Sequence, residues 1–256
     1  GVSSAASDVY KRQPTDYATT LLPHAKSLLE EYDAIRSLRT LAAKSQSVVT
    51  IYALDHVLAY LGASLIEDFH EAYPSIILSV VDTTDAHAIA ALASQQCSFA
   101  ITAGPLDETR FEGDPLFFSH YSVRMHRSHP LAKLTALTYD DLDGQTIISK
   151  GRVYDCFRHH IDKYFLAPGK KIHILAETAD ESIIRTLLLH NKAINIGYDY
   201  ADPLYPHPDI VSRTLKEEIS GQMIYLVSNP QVRKTKAACL FRDYLLEWMK
   251  KKAVRG

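Results

Sequence analysis

From Pro14 onward, Leu21, Leu22, Ala25, Leu28, Leu29, Tyr32, Ile35, Leu38 and Leu41 recur at three- and four-residue spacing, the period of an amphipathic helix. The run covers about seven turns and ends in the polar Lys44-Ser45-Gln46-Ser47. An apolar seam of this length suits either a packed N-terminal helix or a connector that pairs two subunits. Ahead of it, residues 1–13 (GVSSAASDVYKRQ) show no apolar period and resemble translated library-adapter sequence. They are treated as a non-native tail.

A strand–helix alternation follows. Val48–Tyr52 is β-branched and short, and His56–Tyr73 carries Leu58, Leu61, Leu65, Ile66 and Phe69 at helical spacing up to Pro74. Ile76–Val81 is nearly all apolar, as strands covered on both faces are. Asp85–Ala93 predicts a helix and Ser98–Thr102 a strand. The rhythm loosens over Gly104–Ala136, with strand-like pieces such as Ser122–Met125, and then restarts. Thr146–Ser149, Lys171–Leu175 and Ala193–Gly197 predict strands, with helices at Tyr154–Phe165 and Asp180–His190 between them. Strands at Ile210–Leu215 and Gln222–Val227 and a helix from Lys234 to Met249 close the chain. Two such rounds imply two α/β lobes with parallel strands and right-handed crossovers.

Composition leaves this picture in place. Hydrophobic residues make up 46% and charged residues 23% of the 256, with a formal net charge of −2, so the chain as a whole is no electrostatic mate for nucleic acid. Cys97, Cys156 and Cys239 fall in no paired spacing, which points to a reducing cytoplasm rather than a disulfide or zinc framework. No run reaches the roughly 18 to 20 apolar residues of a membrane span. No GxSxG, HExxH, P-loop or GxGxxG pattern occurs, so neither a cofactor nor a catalytic motif is expected. His126 and His129 stand three apart, but Pro130 turns His129 away from helical backbone and no acidic or thiol ligand is close in sequence, so no metal is expected there.

In open α/β sheets, ligands sit at the carboxyl ends of strands and the helix starts that follow. Those positions are Leu54-Asp55-His56, Thr83-Thr84-Asp85, Ser149-Lys150-Gly151, Thr178-Ala179-Asp180 and Gly197-Tyr198-Asp199. Asp55, Asp85 and Asp180 suit helix N-caps. Lys150 is the cation best placed for a ligand. His56 could hold an anion or cap a helix.

These residues also carry a family resemblance. Thr15-Asp16-Tyr17-Ala18 with Leu21-Leu22 and Ala25–Leu29 resembles the start of the linker helix of LysR-type transcriptional regulators. Val49–Leu61, Pro74, His129-Pro130-Leu131-Ala132, Leu142-Asp143-Gly144, Ile194–Gly197 and Ala237–Phe241 follow in that family's order, from Pro14 to Met249. The resemblance implies an α/β, two-lobed, type 2 periplasmic-binding-protein-like domain preceded by a linker helix. The expected divisions are the tail 1–13, the dimerisation helix 14–46, lobe I at 47–142 and 222–250, and lobe II at 143–221.

It further implies a small polar or carboxylate effector in the cleft, held by His56, Thr84, Asp85, Ser149, Lys150 and Thr178, with Tyr198 lining the cleft as well. His56 stands where the family usually has Ser or Thr, and Asp85 where a hydroxyl is common. Both weaken the case for a doubly anionic effector and admit one with an amino group or one paired through Lys150. The implied partners are the effector and a homodimer or homotetramer. DNA would be reached only through a winged helix-turn-helix upstream. The rival reading is the solute-binding protein of a transporter. An enzyme on the same fold would have His56 with Asp85 as its candidate base.

Overall fold

The computed structural model describes residues 15–42, 46–216 and 220–255. The tail at 1–13 lies outside them, as does the stretch 43–45 of the expected linker helix. Residues 1–46 and 47–256 form two separate units. The first contains α1 (Asp16–Ala42), with Pro23 inside it. Tyr17, Leu21, Leu22, Leu28, Leu29 and Tyr32 are all exposed. The apolar seam thus forms as a helix, and Leu21, Leu22, Leu28 and Leu29 stand exposed along it in that unit.

The second unit begins with β1 (Ser47–Leu54), which buries Val49, Ile51, Ala53 and Leu54. The helix expected over His56–Tyr73 is two: α2 (Val57–Leu61) and α3 (Ala63–Ala72), broken at Gly62 with φ 98°. That backbone suits glycine, which lacks the Cβ that would clash there. The apolar spacing runs through the break because Leu61, Leu65 and Phe69 all stay buried. β2 (Ile76–Thr83), α4 (Asp85–Ala93) and β3 (Phe99–Ala103) follow. β2 is not covered on both faces: it is the edge strand, and Ile77 and Val81 are exposed.

The loosely patterned region contains the longest strand, β4 (Glu112–His126), with a bulge between Pro115 and Phe117. Gly113, Asp114 and Pro115 are poor strand formers, and Pro is tolerated at bulges, which is why alternation failed to reveal it. After β4 come β5 (Thr146–Ser149), α5 (Asp155–Ile161) running into a π turn (Asp162–Leu166), β6 (His173–Glu177), α6 (Glu181–Leu189), β7 (Ile194–Tyr198), a 3₁₀ turn (Asp199–Leu204), β8 (Ile210–Thr214), β9 (Gly221–Ser228) and α7 (Lys236–Arg255).

The strand order is β2-β1-β3-β9-β4-β7-β5-β6, with β8 also on β4. β1 pairs in parallel with β2 and β3, and β5 with β6 and β7. β9 and β4 are antiparallel to their neighbours. The sheet is therefore mixed rather than parallel, because the chain passes between the halves through extended strands instead of crossover helices.

β4 is shared between the halves. Glu112–His120 pairs with β9, and from Tyr121 onward the strand pairs with β7 and β8. This change of partner lies upstream of the expected boundary at 142/143. In the first half Phe241 of α7 packs edge-on against Phe69 at 5.4 Å and tilted against Phe99 at 6.1 Å, which ties the C-terminal helix to α3 and β3. The result is a two-lobed α/β fold whose strand ends meet at a cleft.

Candidate functional site

The loops after β1 and β5 meet at the cleft. Lys150, just past β5, donates to Asp55 Oδ2 at 2.6 Å, and both side chains are largely buried. Asp55 is thus not a helix cap, as its position suggested, but the counter-ion of Lys150. Tyr200 Oη donates to the Asp55 carbonyl at 3.0 Å. Tyr205 Oη and His56 Nδ1 lie 2.9 Å apart with their rings edge to face. His56 itself occupies the N-cap position of α2 in left-handed backbone, φ 69°, a conformation costly for a residue with a Cβ and one that concentrates at functional sites. Burial, followed by the nearby Lys150 charge, holds its imidazole below the usual histidine pKa.

A second set of contacts crosses the cleft at α4 and α5. Asp85 is 4% exposed, and its two oxygens accept from the backbone N–H groups of Asp155 at 2.9 Å and Cys156 at 2.6 Å. Asp85 therefore caps the helix of the opposite lobe, where the partly positive N–H end favours a carboxylate. Its own helix is capped by Thr84, whose Oγ1 accepts from His87 N at 3.1 Å. Asp180 caps α6 as its position suggested, accepting from Ser182 N and Ile183 N.

The other expected site residues divide. Ser149 is fully buried, and its Oγ accepts from Gly151 N at 3.3 Å. Its carbonyl accepts from Thr178 N at 2.7 Å, and Thr178 Oγ1 accepts from Asp180 N. Gly151 has φ +94°, and a Cβ there would sit 2.9 Å from Glu177 Cβ, so this turn requires glycine. Tyr198 donates to Gln222 Oε1 at 2.7 Å and stacks between Tyr121 and Tyr200. His56, Lys150 and Tyr198 come together around one cavity of ≈ 20 Å³, space for one water. A wider cavity of ≈ 470 Å³ shares His56 and is lined also by Asp55, Leu58, Ile66, Asp82 and Tyr205, a volume in the range of small-molecule pockets.

Sequence reasoning missed the polar network beneath the smaller cavity. Arg124 on β4 forks onto Glu181 of α6, with Nη1–Oε1 2.6 Å and Nη2–Oε2 3.0 Å, and donates from Nη2 to Asn195 Oδ1 at 2.8 Å. Asn195 Nδ2 donates to the Ile148 carbonyl at 2.9 Å. Asp202 lies 3.7 Å from Arg124, and burial raises its carboxyl above the usual range. A signal was present: Arg124 lies between Val123 and Met125, and Asn195 between Ile194 and Ile196, with all four flanking residues buried. A polar residue inside such a strand needs a partner. His126 and His129 instead serve turns: His126 Nδ1 lies 2.6 Å from Ser128 Oγ, and His129 Nδ1 accepts from Leu131 N.

Comparison with known proteins places these features in context. A family model described as LysR substrate binding domain matches residues 42–250. The HTH-type transcriptional regulator CysB of Burkholderia cenocepacia is 23% identical over 192 residues, covering 74% of this chain and 61% of that protein. The chain thus spans less than two thirds of that relative's length. The effector binding domain of QuiR in complex with shikimate superposes with TM-score 0.70 at 20% identity, covering 81% of this chain and 99% of that one. HinK, a LysR family transcriptional regulator from Pseudomonas aeruginosa, superposes with TM-score 0.68 at 18% identity, covering 93% of this chain and 82% of that one. These likenesses show the fold, and the matches do not favour the transporter reading.

Proposed function

The chain belongs to the LysR substrate binding domain family, and from that premise we propose that it is the sensing and assembly part of a transcriptional regulator, without catalytic activity, acting in the cytoplasm. In this reading a small polar metabolite, carboxylates included, enters the cleft between the lobes. The observation that carries it is the set of bonds across that cleft: Lys150 to Asp55, Tyr200 to the Asp55 carbonyl, Tyr205 with His56, and Asp85 on α5. A ligand that prefers one arrangement of these groups biases the lobes by its differential affinity, and about 1 to 3 kcal/mol is enough for a regulatory signal. His56, Thr84, Asp85, Ser149, Lys150, Thr178 and Tyr198 are the proposed effector site, of which His56, Lys150 and Tyr198 line the small cavity. The lobes are proposed as 47–142 with 222–250, and 143–221.

Assembly is proposed to run through α1, whose exposed Leu21, Leu22, Leu28 and Leu29 suit pairing with a second copy. DNA contact is proposed to belong to a segment ahead of α1. Among the described residues no helix is long and apolar enough to cross a membrane.

Thermal unfolding in the presence of small carboxylates, amino acids and amines tests the cleft. A true effector at 100 times its dissociation constant adds about 2.7 kcal/mol. That gain is expected to vanish in Tyr205→Ala and to survive in Arg233→Ala, which lines a separate cavity. Stabilisation indifferent to Tyr205 would place the site elsewhere. The chain is expected to sediment as a dimer or tetramer, and a monomer at micromolar concentration would contradict the role given to α1.

A further inference from the structure

Asp85 stands in the first turn of α4, where an aspartate ordinarily serves its own helix, yet Thr84 already caps α4 by accepting from His87 N. Both Asp85 oxygens reach instead into the other half of the molecule, to the N–H groups of Asp155 at 2.9 Å and Cys156 at 2.6 Å. These N–H groups open α5 and have no acceptor within that helix, so a buried carboxylate facing them makes short, charge-assisted bonds. The Lys150–Asp55 pair crosses the cleft as well, but a largely buried ion pair returns little net stability once both charges have lost their water. Asp85, whose partners are backbone groups, is the stronger tie between the lobes.

The arrangement it holds is closed. The cavity bounded by His56, Lys150 and Tyr198 is ≈ 20 Å³, space for one water. The wider cavity of ≈ 470 Å³ draws only Tyr205 from beyond residue 82, and neither Lys150 nor Tyr198 lines it. A metabolite therefore touches Lys150 and Tyr198 together only after the lobes part.

We infer that Asp85 is a latch: its carboxylate on the start of α5 holds the lobes shut without help from a ligand, and its release is the step that admits one. The strength of the latch sets the fraction of chains that are open, and the apparent affinity of anything entering the cleft falls in proportion to that fraction. The latch is a property of the chain, and only its bearing on an effector rests on the reading of the cleft as the effector site.

Cys156 reports on the latch directly. It is buried, whereas Cys239 is exposed, and burial followed by the Asp85 charge pushes its thiol pKa up. Removing Asp85 thus changes the thiolate fraction as well as access, and the ratio of labelling rates with a bulky maleimide (fluorescein-5-maleimide) and a small one (N-ethylmaleimide) cancels the first and keeps the second. Peptide mass spectrometry of the labelled 256-residue chain, with no ligand added, measures this ratio at Cys156 and Cys239. In the parent Cys156 is expected to lag Cys239 with both reagents, most with the bulky one. Asp85→Ala is expected to raise the Cys156 ratio at least about ten-fold, and Asp85→Asn, which keeps the shape and one acceptor oxygen, to fall between. Asp180→Ala, which removes a cap lying within one lobe, is expected to leave the ratio at the parent value. A ratio unchanged in Asp85→Ala, or in Asp85→Asn should the alanine variant fail to fold, overturns the latch. So does an equal rise in Asp180→Ala, which would mark general loosening, or a parent Cys156 as reactive as Cys239, which would show the lobes already apart. Because these readouts need no ligand, a missing latch and a misplaced effector site give separate results.

Discussion

Replacing Arg124 with Met is expected to cost about 3 to 5 kcal/mol and to lower the midpoint of thermal unfolding by roughly 10 °C for a chain of this size. Arg124 is 8% exposed, and its guanidinium serves two acceptors at once, Glu181 through a two-point fork and Asn195 through Nε and Nη2. Met keeps the volume of the stem but leaves Glu181, whose side chain is 14% exposed, with no opposing charge. The loss comes chiefly from that stranded acid and much less from the absent attraction, because a paired buried charge contributes little net stability. The double variant Arg124→Met with Glu181→Gln is therefore expected to recover more than half of the deficit, a non-additivity that a double-mutant cycle measures directly. Arg124→Lys is expected to rescue poorly, since a single ammonium cannot reproduce the planar fork. A deficit under about 1 kcal/mol in Arg124→Met would show that water reaches Glu181 and that the network is not a closed one.

Acid is expected to destabilise the protein through His160, and His160→Phe is expected to remove that sensitivity. His160 is fully buried, and neither ring nitrogen has a hydrogen-bond partner among the described residues. Its neighbours are rings: Tyr121 edge-on at 3.8 Å between centroids, with Tyr139, Tyr164, Phe157 and Phe165 around it. Burial, then the charges of His159 and Lys163, pull its pKa from 6.5 down to about 3. Between those values the unfolded chain takes up a proton that the folded chain refuses. The contribution is therefore intact above pH 6.5 and is lost as pH falls from 6.5 toward 3. By pH 5 the loss is about 2 kcal/mol, at about 1.4 kcal/mol per pH unit.

Denaturant unfolding at pH 7 and pH 5 measures this in both proteins. The difference between the two pH values should shrink by about 2 kcal/mol in His160→Phe, while any contribution from His56 and His129, also lowered by burial, appears in both proteins and cancels. At pH 7 the variant is expected to be no less stable than the parent, because Phe removes two buried polar atoms that lack partners among the described residues. Equal pH responses in the two proteins would rule out His160 as the acid-sensitive group.

The same locality of sequence patterns explains which parts of this molecule could be read in advance. Helix and strand periods are short-range properties, so α1, β5 and α4 stood in the sequence close to their observed bounds. So did the cap at Asp180, whose donors lie two and three residues ahead. β4 escaped because its bulge and its Gly113-Asp114-Pro115 segment break the alternation that marks a strand, although its far half showed in Ser122–Met125.

Strand-end reasoning found His56, Lys150 and Asp85 as positions but not their partners. Asp55 and Lys150 are 95 residues apart, Asp85 and Cys156 are 71 apart, and Arg124 and Asn195 are 71 apart. No periodicity links residues at such separations. They meet because β4 runs through both halves of the sheet and β9 returns from the end of the chain to pair beside it. The sequence by itself determined the family and most of the order of elements, and it marked the strand ends proposed to hold a ligand. The tertiary structure alone decided the charge of the cleft, because that charge is a sum over pairs, and only folding settles which carboxylate sits on which cation.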